Sequence, residues 1–211
     1  MSKTEAPLEA ISKYIPDKAA PLILDYLQKY KVHLTITRER KSVLGDYRHA
    51  TTFKSHRISI NGNLNRYSFL ITLIHELAHL VTFQQHRHSV DPHGKEWKKI
   101  YGMLLKDFLN PLIFPPDLLQ TLKDSLHDLP ASSCSDDRLM RVLRNYDVKS
   151  TGMLMVEQIR EGQMFDAGKG KLFRKGKKLR KRYQCVEIAT GKLYLFSPVY
   201  EVKIAEVDGI S

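Results

Sequence analysis

Two histidines four positions apart, with a glutamate directly after the first, stand in the stretch Ile74-His75-Glu76-Leu77-Ala78-His79-Leu80. On a helix this H-E-x-x-H spacing sets both imidazoles on one face, one turn apart, as two nitrogen ligands of a single zinc ion require. Glu76 then lies beside them, placed to take a proton from a water that the metal has acidified. The chemistry these residues could perform is metal-assisted hydrolysis. With a protein substrate, Glu76 would accept a proton during attack on the peptide carbonyl and pass it to the leaving amine.

Catalytic zinc commonly takes three protein ligands and leaves a fourth position open, so two histidines are an incomplete set. His86, His88 and His93 follow. His93 comes just after the turn-forming Asp91-Pro92, and Gly94 would let the backbone swing it back toward the helix, where Trp97 could pin the next helix against it. His86 and His88 are nearer in sequence and compete for the same role. No oxyanion donor can be named. Tyr101, Arg48 and His49 are within conceivable reach, and each is readily explained as structural.

The elements that must position these groups are legible in outline. From Arg66 to about Gln85 the apolar residues surround almost the whole helix, which predicts a helix buried in its domain, and Asn65 is its expected N-cap. Ionisable groups on such a helix require partners, because burying unpaired polar groups is unfavourable. After Gly94 an amphipathic helix carries Trp97, Ile100, Tyr101, Leu104, Leu105 and Phe108, and two further helices are expected near 117–128 and 135–145. Residues 5–30 read as helical, divided by Pro16 and Pro21. Between that region and the motif helix, 32–37, 47–53 and 57–60 read as strands, with Gly45-Asp46 as a turn. Short connections predict a small three-stranded antiparallel sheet.

From about Asp147 the character changes. Short β-type runs at 153–159, 163–166, 171–174, 179–188 and 192–203 alternate with glycines, as in a small all-β module. The expected division is 1–146 and 147–211, which makes the chain an α+β protein with a β appendage. The formal net charge is +11, and the run 169–183 holds nine basic side chains and no acid, leaving only +2 for the rest. Lys169, Lys171, Arg174, Lys175, Lys177, Lys178, Arg180, Lys181 and Arg182 are therefore candidate phosphate contacts, with Phe173 and Tyr183 as candidate stacking surfaces for exposed bases. Such binding would be insensitive to sequence. The bland alternative is a charged edge strand that discourages aggregation. Cys134 and Cys185 stand 51 positions apart in no C-x-x-C arrangement, so neither a disulfide nor a cysteine zinc site is expected. No apolar run approaches the roughly 18–20 residues of a membrane span, so no membrane partner is expected. The N-terminal residues carry acid and proline where a signal peptide needs an apolar core, which points to the cytoplasm.

Gly45-Asp46-Tyr47, Ile58-Ser59-Ile60-Asn61, Leu73-Ile74-His75-Glu76-Leu77-Ala78-His79 and His93-Gly94-Lys95-Glu96-Trp97-Lys98, in that order, resemble a SprT-like domain over roughly residues 8–110. That family comprises zinc metallopeptidase-like proteins and includes the Spartan proteases that digest proteins crosslinked to DNA. The resemblance implies a zincin-like helical domain, one zinc ion held by His75, His79 and His93, and Glu76 as catalytic acid/base. It implies a protein substrate, with DNA-associated proteins the class to test. Many relatives end in a zinc ribbon with paired cysteines. Here Cys185 is alone beside Tyr183-Gln184 and Thr190-Gly191-Lys192-Leu193-Tyr194, so the module is expected to be metal-free. The competing expectation is a non-proteolytic nucleic-acid-binding protein whose metal site is structural or vestigial.

Overall fold

The structure is a computed structural model that describes residues 8–40, 43–126, 136–148 and 152–205. Cys134, and the expected helical residues at 5–7, 127–128 and 135, lie outside them. The chain divides into two compact units, Met1–Asp147 and Val148–Ser211. Among the described residues no helix is long and apolar enough to cross a membrane.

In the first unit two short 3-10 turns, Leu8–Lys13 and Asp17–Ala19, lead into α1, Ala20–Lys29. Pro16 separates the turns, but Pro21 divides nothing. It sits in the first turn of α1, where a missing backbone donor would have had no partner anyway. Then follow β1 (His33–Thr37), β2 (Gly45–Arg48), β3 (Arg57–Asn61), α2 (Arg66–His86), α3 (Lys95–Phe108), α4 (Pro116–Ser125) and α5 (Asp137–Arg144). Helix α2 begins where the Asn65 carboxamide accepts from the N–H groups of Tyr67 and Ser68, at 3.0 and 2.9 Å. Its residues from Phe69 to Ala78 are all buried, so it forms the axis of the core. α3 packs its apolar stripe of Trp97, Ile100, Tyr101, Leu104, Leu105 and Phe108 into the same core.

The sheet differs from expectation. Its order is β1-β3-β2, with β1 parallel to β3 and β2 antiparallel to β3. The antiparallel assumption took each short connection for a hairpin. Instead, the link after β1 carries the chain past the place that β3 later fills. The Asn61 side chain holds that link by donating to the carbonyls of Arg40 and Val43, both at 3.0 Å. Asn61 is itself 1% exposed, so losing these bonds would leave its amide unpaired in the interior. Gly45-Asp46 is accordingly the start of an edge strand rather than a turn, and that strand ends at Arg48. Thr51 and Lys54 instead close a small turn through a pair of backbone hydrogen bonds.

The second unit is a six-stranded antiparallel sheet of order β4-β9-β5-β6-β7-β8. Its strands are β4 (Met153–Met155), β5 (Met164–Asp166), β6 (Leu172–Leu179), β7 (Arg182–Glu187), β8 (Leu193–Phe196) and β9 (Glu201–Ile204). The sheet encloses a core of Val156, Ile159, Phe165, Phe173, Cys185 and Val202. The strand expected at 171–174 runs on to Leu179, and the one expected at 179–188 starts only at Arg182, because Arg180 takes a left-handed conformation at φ 47° and turns β6 into β7. The run 192–203 is two strands, β8 and β9.

Candidate metal centre

The one-turn spacing on α2 brings His75 and His79 to the same face. The third imidazole beside them is His93, from the loop before α3; neither His86 nor His88 reaches the site. His86 closes α2 with its carbonyl accepting from Ser89, and His88 packs edge-on against His49 and Phe83. The left-handed step that aims His93 is taken by His93 itself, at φ 64°, while Gly94 sits at φ −69° and starts α3. A glycine at 94 serves the tight turn, since its N–H donates to the Asp91 carbonyl at 2.9 Å and an added Cβ would lie 3.1 Å from that oxygen.

The three Nε2 atoms converge at 3.2 Å (His75–His79), 3.0 Å (His79–His93) and 3.2 Å (His75–His93). Three mutual contacts cannot all be hydrogen bonds. Each Nε2 carries either a proton or a lone pair, so at least two of the three are alike and face each other unfavourably. A cation at the centre removes the conflict by taking all three lone pairs. Tetrahedral zinc with Zn–N bonds of about 2.0–2.1 Å sets its ligands about 3.3–3.4 Å apart, close to the spacing found. Burial holds the ligands in the neutral form a metal needs: His75 is lowered to about 3 and His79 to about 4, each helped by the neighbouring imidazoles, and His93 is lowered as well. The residues present therefore fit a zinc ion.

Trp97 is the floor of the site. It is fully buried, its ring centroid lies 4.7, 5.2 and 4.6 Å from those of His75, His79 and His93, and Tyr101 stacks behind it. The Trp97 Nε1 and His75 Nδ1 atoms are buried without a hydrogen-bond partner among the described residues. Packing against Trp97 and Tyr101 holds the His75 ring in place.

Glu76 is 6% exposed and lies under the edge strand β2. The Tyr47 backbone N–H donates to its carboxylate, but burial, reinforced by Asp46, prevails and raises Glu76 to about 8. Tyr47 is fixed in turn, since its hydroxyl donates to His56 Nδ1 at 2.8 Å. The approach of β2 to Glu76 depends on Gly45: a Cβ there would stand 2.7 Å from both Glu76 Oε1 and Thr72 Cγ2. Sequence reasoning took Gly45 for a turn residue and missed this role. The available signal was the outward-inward alternation of Asp46, Tyr47 and Arg48 immediately after it.

Among the described residues, none of the three oxyanion candidates has a hydrogen bond to Glu76 or to the histidine triad. Tyr101 is buried behind Trp97, Arg48 pairs with Asp46, and the His49 Nδ1–H donates to the Ala50 carbonyl.

The basic run of the second unit is a β6–β7 hairpin with its neighbouring loop. Lys169, Lys171, Arg174, Lys177, Lys178, Arg180, Lys181 and Arg182 are exposed. Lys175 is not available to a ligand. It is 5% exposed, its Nζ donates to the carbonyls of Ile159 and Glu157, and it lies 4.1 Å from the Tyr183 ring centroid. Phe173 is also in the core, so it cannot stack on bases, and Lys175 covers a face of Tyr183. The cause is strand alternation, which turns Phe173 and Lys175 inward while Arg174 points out. Lys171 lies 3.8 Å from the buried Glu187. Cys185 is buried and unpaired, its thiol raised by burial, in keeping with a module held by apolar packing.

Residues 17–109 match the model of the SprT-like family. No curated protein and no solved structure matches the chain.

Proposed function

From the premise that residues 17–109 are a SprT-like domain, we propose that the protein is a zinc-dependent metallopeptidase acting on proteins associated with or crosslinked to nucleic acid. One observation carries the reading: three neutral imidazole nitrogens 3.0–3.2 Å apart beside a buried carboxylate. His75, His79 and His93 would hold one zinc ion. When bound, it supplies Lewis acidity that acidifies water and polarises a carbonyl.

The remaining work falls to the chain's own groups. Glu76 accepts a proton at its carboxylate and returns it to the leaving amine, a role suited to a group poised near neutrality. The Tyr47 N–H and the absence of a side chain at Gly45 fix that carboxylate in place. Trp97 shields the imidazoles from water on the buried side. The exposed basic side chains of the β6–β7 hairpin would bring the protein to nucleic acid through phosphate contacts, without Lys175 and without base stacking by Phe173.

The test is digestion of a basic protein bound to single-stranded DNA, by the wild type and by Glu76→Gln, with zinc content measured on both. The reading expects cleavage by the wild type and a fall of about 10²–10⁴-fold in the variant at unchanged zinc content. Equal behaviour of the two proteins in the protein's biological role would favour a non-proteolytic nucleic-acid-binding protein instead.

A further inference from the structure

The metal centre uses one side of the three-stranded sheet; the other side has a chemistry of its own. Ile58 and Ile60 of β3 turn into the core, leaving Arg57 and Ser59 on the outward face. The register sets His33 of β1 and Arg48 of β2 directly beside Arg57, and Thr35 and Asp46 directly beside Ser59. Two guanidiniums thus share one cross-strand row, an arrangement that is unfavourable wherever the charges are not offset. A hollow of about 290 Å³ lies over this face, lined by the hydroxyls of Thr35 and Ser59 and by Arg40, Arg48, Arg57 and Asp46.

The three arginines are held to different degrees. Arg40 is fixed by donation from Nε to Asn61 Oδ1 and from its two terminal nitrogens to Ser59 Oγ and the Ser59 carbonyl, at 2.9, 3.0 and 3.1 Å. Of its five N–H donors these bonds use three. Arg48 donates through Nε to Asp46 at 2.8 Å and is otherwise largely exposed. Arg57 Nε is buried with no partner among the described residues. Three guanidiniums and a single carboxylate line the hollow, so it is net positive.

We propose that this hollow binds a phosphate group, and that the macromolecular source is a nucleic-acid phosphodiester. Guanidinium forks match phosphate oxygens in pairs, and hydroxyls complete the shell. Apart from the buried Ile58 the lining holds no apolar side chain, so it lacks the pockets by which a peptide would be recognised. This rests on the nucleic-acid part of the proposed function and extends it to the first unit.

The test uses the full chain with the hairpin charge reduced by Lys177→Gln, Lys178→Gln and Arg180→Gln. Affinity for a labelled single strand is measured across salt concentrations, with and without Arg48→Gln and Arg57→Gln. The proposal expects those two changes to weaken binding at least 10-fold and to lower the slope of log affinity against log salt by about 1–2, since each single-strand phosphate contact contributes about 0.7. Inorganic phosphate at matched ionic strength should compete in the charge-reduced protein and compete less once the arginines are replaced. Arg48→Gln alone, at an exposed position, should cost about 3-fold and keeps the test valid if Arg57→Gln does not fold. Unchanged affinity and slope overturn the proposal. So does a hollow that binds inorganic phosphate or a phosphoserine peptide while DNA binding stays the same. Zinc content is measured on every variant and should stay at the wild-type level, so failure of the metal site is distinguishable from failure here.

Discussion

The histidine triad and the β6–β7 hairpin are both concentrations of ionisable groups, and they are built in opposite ways. At the triad, burial strips water from three imidazoles and a carboxylate, holds the imidazoles neutral, and sets three nitrogens too close to satisfy one another. Such a cluster could hold a metal ion at its centre. On the hairpin, eight basic side chains stand in solvent, where water and salt screen them. That cluster can attract an anion without requiring one. Burial makes the first region specific and intolerant of change, while exposure makes the second additive and forgiving.

The largest effects should come from breaking the buried side of this comparison. His79→Ala removes one of three converging nitrogens and should abolish stoichiometric zinc binding by elemental analysis; full zinc occupancy would show that the triad is not the site. Next is Gly45→Ala, which puts a methyl group 2.7 Å from Glu76 Oε1. Displacing the carboxylate by about 1 Å can cost about 100-fold in rate, so turnover should fall by one to two orders of magnitude with zinc retained. A variant with wild-type turnover would mean that Glu76 need not sit where β2 holds it.

In the second unit, Lys175→Met removes the donor to two carbonyls and should lower stability by about 1–3 kcal/mol in urea unfolding. Lys177→Gln, at an exposed position, should change stability by less than about 0.5 kcal/mol and weaken only nucleic-acid binding. Similar behaviour of the two variants would erase the distinction between the buried and exposed members of one basic run.

A separate effect is expected in the pH profile of the metal-free protein. His75 and His79 titrate near 3 and 4 when folded against 6.5 as the ordinary value, so between those limits the unfolded chain holds more protons and stability rises with pH. Glu76, raised from 4.5 to about 8, works the other way, and its contribution is lost as pH rises through that range. Thermal unfolding midpoints of the metal-free protein should therefore peak near pH 6.5 and decline on both sides. A midpoint that climbs steadily from pH 6.5 to 8 would contradict the burial of Glu76.

The legibility of each region followed its physics. Asn65 as N-cap, α2 as a buried helix and the apolar stripe of α3 could be read because local periodicity carries them. The strand order could not, since Asn61 ties β3 to the link after β1 through contacts that leave no local pattern. Gly45 was visible as a glycine, but its purpose belongs to a helix more than twenty positions later. In the basic run composition was a poor guide: nine cations in fifteen positions suggest a continuous patch, and strand alternation removed Lys175 from it.

By itself, then, the sequence determined that His75 and His79 share a face next to Glu76, because helix geometry fixes what is one turn apart. It also determined that positive charge gathers near the C-terminal end, because charge is a property of composition. Only the tertiary structure decided that His93 completes the triad by adopting a left-handed backbone, that an edge strand without a side chain at Gly45 closes over Glu76, and that Lys175 turns inward. Those outcomes depend on what packs against each residue, and packing joins positions that the chain keeps apart.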